Sequence, residues 1–313
     1  MVEVRPFRGL SGLPPAGWVP PIETLSAETV EAHRSDPLSA IHLVRPRRES
    51  DDRSQFVQYA RAAAQLETWR RDGTLKLAEE PRLYGLKWQG VPIMYGLVAV
   101  SDLHPRGAEL PTRGDDRLRL LESTDTFLEP LVAVADLPAL NNLDEGAVSE
   151  LMDEPLTVNH LRVVDNPDRL GAVRSFTEEN PKATHALVAI VAEAHVQPVP
   201  LRLKRYPAPD LQTRCAELGT VLSGPELESM APQDSLLRVT EADGREWAFR
   251  LREATFWSTL GEWLGGTGWE RLADHESGPA SVSLESTDPL APAMAQVLPR
   301  IPSGPVFWSR RDR

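Results

Sequence analysis

Cysteine is nearly missing from this chain: Cys215 is alone among 313 residues. A single thiol excludes an intramolecular disulfide and a cysteine-built zinc cluster. Long apolar runs are missing too. The longest, residues 186–191 with a continuation past Glu193 to Val196, is far below the roughly 20 residues that cross a bilayer, so no membrane span is expected. Basic residues are in deficit, with 34 lysines and arginines against 46 acids and a net charge of −12. That charge opposes non-specific binding to nucleic acid or anionic lipid. The opening Met1-Val2-Glu3-Val4-Arg5-Pro6 lacks the apolar centre of a signal peptide, which makes the cytoplasm the expected compartment.

What is present describes a folded protein. Hydrophobic residues reach 41% and charged residues 26%, close to ordinary soluble domains and away from disordered ones. The length exceeds the roughly 100–200 residues typical of one domain. Prolines number 28 and gather at residues 14–21, 198–209 and 289–305, where they favour connectors over long helices. We expect one unit over residues 1–313, with an internal boundary near 205–210 setting off a C-terminal lobe.

Local pattern predicts the elements. Ser26 can cap a helix over 27–34. Residues 41–44 suit a buried strand. Phe56, Tyr59, Ala60, Ala63, Leu66 and Trp69 recur at helical spacing ahead of Gly73, a C-cap glycine. Residues 83–88 and 91–100 flank Gln89-Gly90 as a hairpin, with Pro92 marking an edge strand. Helices are expected at 116–122 and 142–153, and a strand over 156–164. Asn166 caps and Pro167 opens a helix to about 177, followed by a strand at 185–193. Further on come a helix at 211–222, a hairpin at 235–251, an amphipathic helix at 254–264, a helical patch at 292–298 and a solvated basic end. The fold class is therefore α/β or α+β, with a mixed sheet, a strand-helix-strand unit and helices around the sheet.

Motifs for chemistry are sparse. Seven histidines fall in no metal-binding spacing and Gly-x-Ser-x-Gly is absent. Gly265-Gly266-Thr267-Gly268 lacks a phosphate loop's lysine and follows a predicted helix, so it reads as a helix exit. Two helix starts carry more information. At the turn after residues 156–164, backbone N–H groups could take an anion, but Asp165 and Asp168 would repel a phosphate unless Arg169 or a divalent cation intervened, and acidic first turns also serve as caps. At Asp115, Asp116, Arg117 and Arg119, the charges either position a ligand or cap and solvate the helix start.

These residues carry a resemblance. Val4-Arg5-Pro6-Phe7-Arg8-Gly9-Leu10, Pro20-Pro21-Ile22-Glu23-Thr24-Leu25-Ser26 and His42-Leu43-Val44-Arg45-Pro46 are similar, in order, to the opening segments of the bacterial and archaeal domain-of-unknown-function 1015 family. Leu110-Pro111 and Asp116-Arg117-Leu118-Arg119-Leu120-Leu121 resemble the tail of a family motif that begins His-Glu-x-Thr. Its head is replaced here by Arg106, Gly107, Ala108 and Glu109. The second family motif, Asp-Gly-His-His-Arg, resembles the phosphate-handling turn of ParB/sulfiredoxin-like proteins, which include free-serine kinases. Here it reads Asp165-Asn166-Pro167-Asp168-Arg169, without both histidines and the glycine.

The resemblance implies a nucleotide-dependent phosphotransferase ancestry with degenerate chemistry. One expectation is a non-catalytic relative that binds a small anionic ligand or a protein partner. The alternative is an active phosphotransferase on a small-molecule hydroxyl, serine-like, with a relocated Mg²⁺-assisted site. On the second reading Glu109 and Asp165 are the candidate catalytic groups; Arg106, Asp116, Arg117, Asp168 and Arg169 are the candidate ligand-binding groups. Asp165 and Asp168 are the candidate Mg²⁺ ligands, and a nucleotide is the candidate cofactor.

Overall fold

The computed structural model describes residues 1–103, 116–138, 140, 142–164, 167–198, 201–204, 219–222, 236–241, 245–251, 270–271, 282–286, 295–297 and 300–312. In chain order the first part carries β1 (Val2–Arg5), β2 (Leu10–Ser11), α1 (Ala27–Arg34), α2 (Ile41–Val44), α3 (Val57–Arg71), β3 (Lys76–Leu77), β4 (Tyr84–Trp88) and β5 (Val91–Ala99). Then follow α4 (Asp116–Thr124), β6 (Thr126–Phe127), β7 (Leu131–Val134), β8 (Val148–Glu150), β9 (Leu156–Val158), β10 (Arg162–Val163), α5 (Pro167–Glu179) and β11 (His185–Val191).

The large sheet is mixed, in the order β10-β7-β11-β5-β1-β9, with β4 on β5 and β8 on β4. Its centre is β5, which β11 pairs along residues 94–99, while β4 pairs residues 91–95 and β1 pairs Leu97 and Val98 on the opposite side. Such double coverage explains a nearly continuous apolar run. From Met94 to Val98 the side chains of β5 are buried, as are Ala186–Val191 of β11.

Pro92 therefore does not mark an edge strand. It faces Lys87 one step from the closing Trp88–Val91 pair, and β11 reaches only to Met94, so its missing N–H falls where no ladder partner is needed. Gln89 and Gly90 both have positive φ, 49° and 84°, the geometry that a two-residue turn needs to follow the twist of its strands.

Helices α1 through α5 pack in succession, each on the next where contacts are dense: α1 on α2, α2 on α3, α3 on α4 and α4 on α5. Ser26 caps α1 by accepting from Thr29 N–H at 3.1 Å, and Gly73 follows α3 with φ +81°, as the pattern indicates. Three expectations are corrected. Residues 41–44 form a helical turn, because Ile41, Leu43 and Val44 are buried within the helical layer rather than in the sheet. Residues 142–153 form no helix among those described; they run into β8, which pairs with β4. The stretch 156–164 is two short strands, β9 on β1 and β10 on β7, at opposite ends of the sheet order. The strand-helix-strand unit is present as β10-α5-β11. Its two strands run in opposite directions, since β10 is antiparallel and β11 parallel to the β7 that lies between them.

The later part carries β12 (Val196–Pro198), β13 (Leu201–Lys204), β14 (Gly219–Leu222), β15 (Leu236–Glu241), β16 (Glu246–Leu251), β17 (Glu270–Arg271), β18 (Val282–Ser286), β19 (Ala295–Val297) and β20 (Trp308–Ser309). Six of these make an antiparallel sheet in the order β14-β16-β15-β18-β13-β17. The expected hairpin at 235–251 is β15 on β16. Residues 219–222 are strand and not the end of a helix, and 295–297 are strand and not a helical patch, paired with β12. The expected helix at 254–264 and the boundary near 205–210 lie outside the described residues.

The basic end is no solvated tail. Residues 300–312 return to the first sheet region, where Leu10 bridges Phe307, Val19 bridges Ser303 and β20 pairs with β6. Ile301, Val306, Phe307 and Trp308 are buried in the main core. The tryptophan ring stacks on Phe127 at 5.2 Å and 24°. Among the described residues no helix is long and apolar enough to cross a membrane.

Candidate functional site

Two helix starts face one carboxylate. Arg117 lies in the first turn of α4, Arg169 in the first turn of α5, and Glu129 in the short link between β6 and β7. Glu129 Oε1 accepts from Arg169 Nη2 at 3.1 Å, while Arg117 Nε lies 3.5 Å from Oε2. The side chains are 8% exposed for Glu129, 7% for Arg169 and 19% for Arg117. Charges so far out of water persist only when paired. The positive ends of the two helix dipoles add to the attraction for a negative group at this point.

The three charges border a cleft whose wall is apolar apart from Thr126 and includes Leu120, Phe127, Leu131 and Val173. Its cavity volume is about 50 Å³. A single water needs roughly 10–15 Å³ on the same measure. As bounded by the described residues, the cleft has room for a few waters or one carboxylate- or phosphate-sized group.

Arg117 and Arg169, named from two separate motif remnants, are brought together. Asp116 is not part of that group: it is exposed on α4 and accepts a hydrogen bond from the Tyr59 hydroxyl of α3. Tyr59 and Ala62 pack on Leu120, so this bond braces the α3–α4 contact. Arg106, Glu109 and Asp165 lie outside the described residues, as does the side chain of Asp168. Among the described residues no cluster of three or more histidine, cysteine or acidic side chains could hold a metal.

Glu129 escaped the sequence reading. The available signal was one charge in the apolar stretch Phe127-Leu128-Glu129-Pro130-Leu131, a placement that demands a cationic partner once the stretch is buried. No spacing rule names that partner, because Arg169 is 40 residues away.

A family model described as "Protein of unknown function (DUF1015)" matches residues 4–190. Among curated proteins none matches the sequence significantly. Solved structures similar to part of the chain include a C-terminally truncated SbnI from Staphylococcus aureus, 14% identical, covering 67% of this chain and 85% of that one with a TM-score of 0.37. A conserved hypothetical protein from Pyrococcus furiosus is 14% identical over 67% of this chain and 93% of its own, with a TM-score of 0.36. A free serine kinase in complex with AMP is 11% identical over 69% and 90%, with a TM-score of 0.39.

Proposed function

Because the chain belongs to the DUF1015 family, whose model spans residues 4–190, we propose that it is a non-catalytic, ligand-binding member that senses or holds a small anionic group at the Arg117–Glu129–Arg169 cleft. The observation that carries this reading is the convergence of two arginines, each from its own degenerate motif, on one buried carboxylate beside an apolar cavity. Guanidinium groups suit carboxylate and phosphate oxygens, and Glu129 holds both arginines in place between binding events. The motif positions that would supply acid/base and phosphate-donor side chains carry Arg106 and Gly107 in place of the His-Glu pair, and Pro167 and Asp168 in place of the two histidines. Phosphoryl transfer depends on such donors, which is why binding without turnover is preferred. The ligand presents its anionic group to the cleft and keeps any larger body outside it.

The test is calorimetric titration with inorganic phosphate, ADP and ATP, each with and without Mg²⁺ and with free serine added. Saturable binding independent of Mg²⁺, weakened at least tenfold in Arg169→Lys, is expected. Lysine keeps Glu129 paired, whereas alanine would strip the buried carboxylate of a partner and confuse binding with folding. Binding of ATP that requires Mg²⁺ and leads to turnover would favour the phosphotransferase instead, with Glu109 and Asp165 as its acid/base groups and Asp168 beside the metal. Absence of heat with every anion sinks both and directs attention to a protein partner.

A further inference from the structure

A second cavity lies across the stacked Phe127–Trp308 pair from the cleft: Phe127 lines the first and Trp308 the second. Its volume is about 290 Å³, at the lower end of the roughly 300–1,000 Å³ that small-molecule sites occupy. Its buried lining is apolar, from Phe7, Leu97 and Trp308, and its more exposed lining carries Arg5, Arg8, Pro81 and His185. Asp312 is the one acid on the wall among the described residues. Its two oxygens accept from Arg70 Nη1 and Nη2 at 2.8 Å each, so its charge is spent on α3.

The position of Arg8 is fixed by its neighbours. Gly9 N–H donates to the Tyr84 hydroxyl at 2.8 Å, and that hydroxyl lies 3.3 Å from the Phe7 carbonyl. A Cβ on Gly9 would stand 2.7 Å from the Tyr84 ring, so only glycine permits this approach. Arg8 itself donates from Nε to the Ala78 carbonyl at 3.0 Å. Among the described residues that is its hydrogen bond, and both Nη groups remain available at the rim. Arg5 is half exposed and pairs with Glu3.

The geometry points to a binding site for a small organic anion, a carboxylate or phosphate ester with an aromatic or aliphatic body, held by Arg8 with help from Arg5. Two arginines at the mouth of an apolar cavity match that ligand class in both of its parts, charge and hydrocarbon. In a chain of net charge −12, a cationic rim draws anions locally against the repulsion of the whole. The site is independent of the Arg117–Glu129–Arg169 cleft. It gives a role to the Arg5-Pro6-Phe7-Arg8-Gly9 motif beyond its place at the end of β1.

Titration of the full chain with phenyl phosphate, benzoate and inorganic phosphate tests this. Saturable binding of phenyl phosphate or benzoate is expected and persists in Arg169→Lys, where the cleft's own anion binding is weakened and inorganic phosphate binds at least tenfold more weakly than either. Arg8→Gln should weaken it tenfold or more, Arg8→Lys by a smaller factor, and Arg5→Gln about threefold because that side chain is shared with Glu3 and water. If Arg8→Gln melts early, Arg5→Gln and Arg8→Lys give the reading. Lack of saturation in the unmodified chain, equal affinity for inorganic phosphate in Arg169→Lys, or affinities within twofold in all Arg8 and Arg5 variants that fold would overturn the proposal.

Discussion

The cleft and the C-terminal strap, residues 300–312, both join arginine to carboxylate, yet they rely on those pairs differently. In the cleft the pair is the structure: Glu129 and Arg169 are almost wholly out of water, and the contacts join the starts of α4 and α5 to the β6–β7 link. In the strap, Arg70 holds Asp312 with two bonds of 2.8 Å, Arg310 reaches Asp125 at 3.0 Å, and Arg311 reaches Glu67 at 3.1 Å, but solvent touches most of these groups. Arg310 also lies 4.8 Å over the Phe176 ring. The strap's hold comes from Phe307 and Trp308 in the core, and its charges set direction. Burial, more than the identity of the pair, decides how much an ion pair matters.

The largest effect should come from Phe307→Ala. Phe307 is fully buried, and loss of such a ring costs about 4 kcal/mol. Urea denaturation should show that loss; a change below about 1 kcal/mol would mean the strap is held by its ions after all. Glu129→Gln comes next, at about 3 kcal/mol, because it leaves buried guanidinium charge facing a neutral amide. If that variant were as stable as the parent, the cleft would resemble the strap, and the contrast would fail.

Alkaline pH probes the sheet between them. Burial raises the phenols of Tyr84 and Tyr95 above the ordinary value of 10.0. The folded state then keeps protons that the unfolded chain gives up, so stability is whole below pH 10 and falls above it. The slope approaches about 1.4 kcal/mol per pH unit for the fully buried Tyr95, and Tyr84 adds a smaller part. Arginines keep their charge across this range, so both ion clusters should stay intact while the sheet weakens. Tyr84→Phe should lessen the slope in denaturation curves taken from pH 9 to 11, and Tyr95→Phe should lessen it more. The smallest effect is Arg311→Ala: its pair with Glu67 is 53% and 55% exposed, and the cost should stay within about 0.5 kcal/mol, checked by the thermal midpoint.

Elements that rest on local pattern were legible. The spacing of Tyr59, Leu66 and Trp69, the Ser26 cap, and the Gln89-Gly90 turn each carry their geometry within a few residues, so α3, α1 and the β4–β5 hairpin follow from sequence. Elements that rest on distant partners were not. The four residues Ile41–Val44 are too short for a period to separate strand from helix, and their burial among helices decided the matter. The prolines of residues 14–21 and 289–305 suggested seams, but Trp18, Val19 and Ile301 are core residues there. Proline stops a helix; it does not keep its neighbours out of the interior.

By itself the sequence determined the mixed α/β class, the family, and the place of Arg117 and Arg169 at two helix starts, because all of these are properties of residue type in order along the chain. Only the tertiary structure decided that the two arginines share Glu129, that Asp116 turns away to Tyr59, and that the chain's last residues close a second cavity beside Arg8. The reason is range. Propensity and spacing act over one or two turns of chain, whereas ion pairing and apolar burial act between any surfaces that folding brings together, here Arg70 and Asp312 across 242 residues.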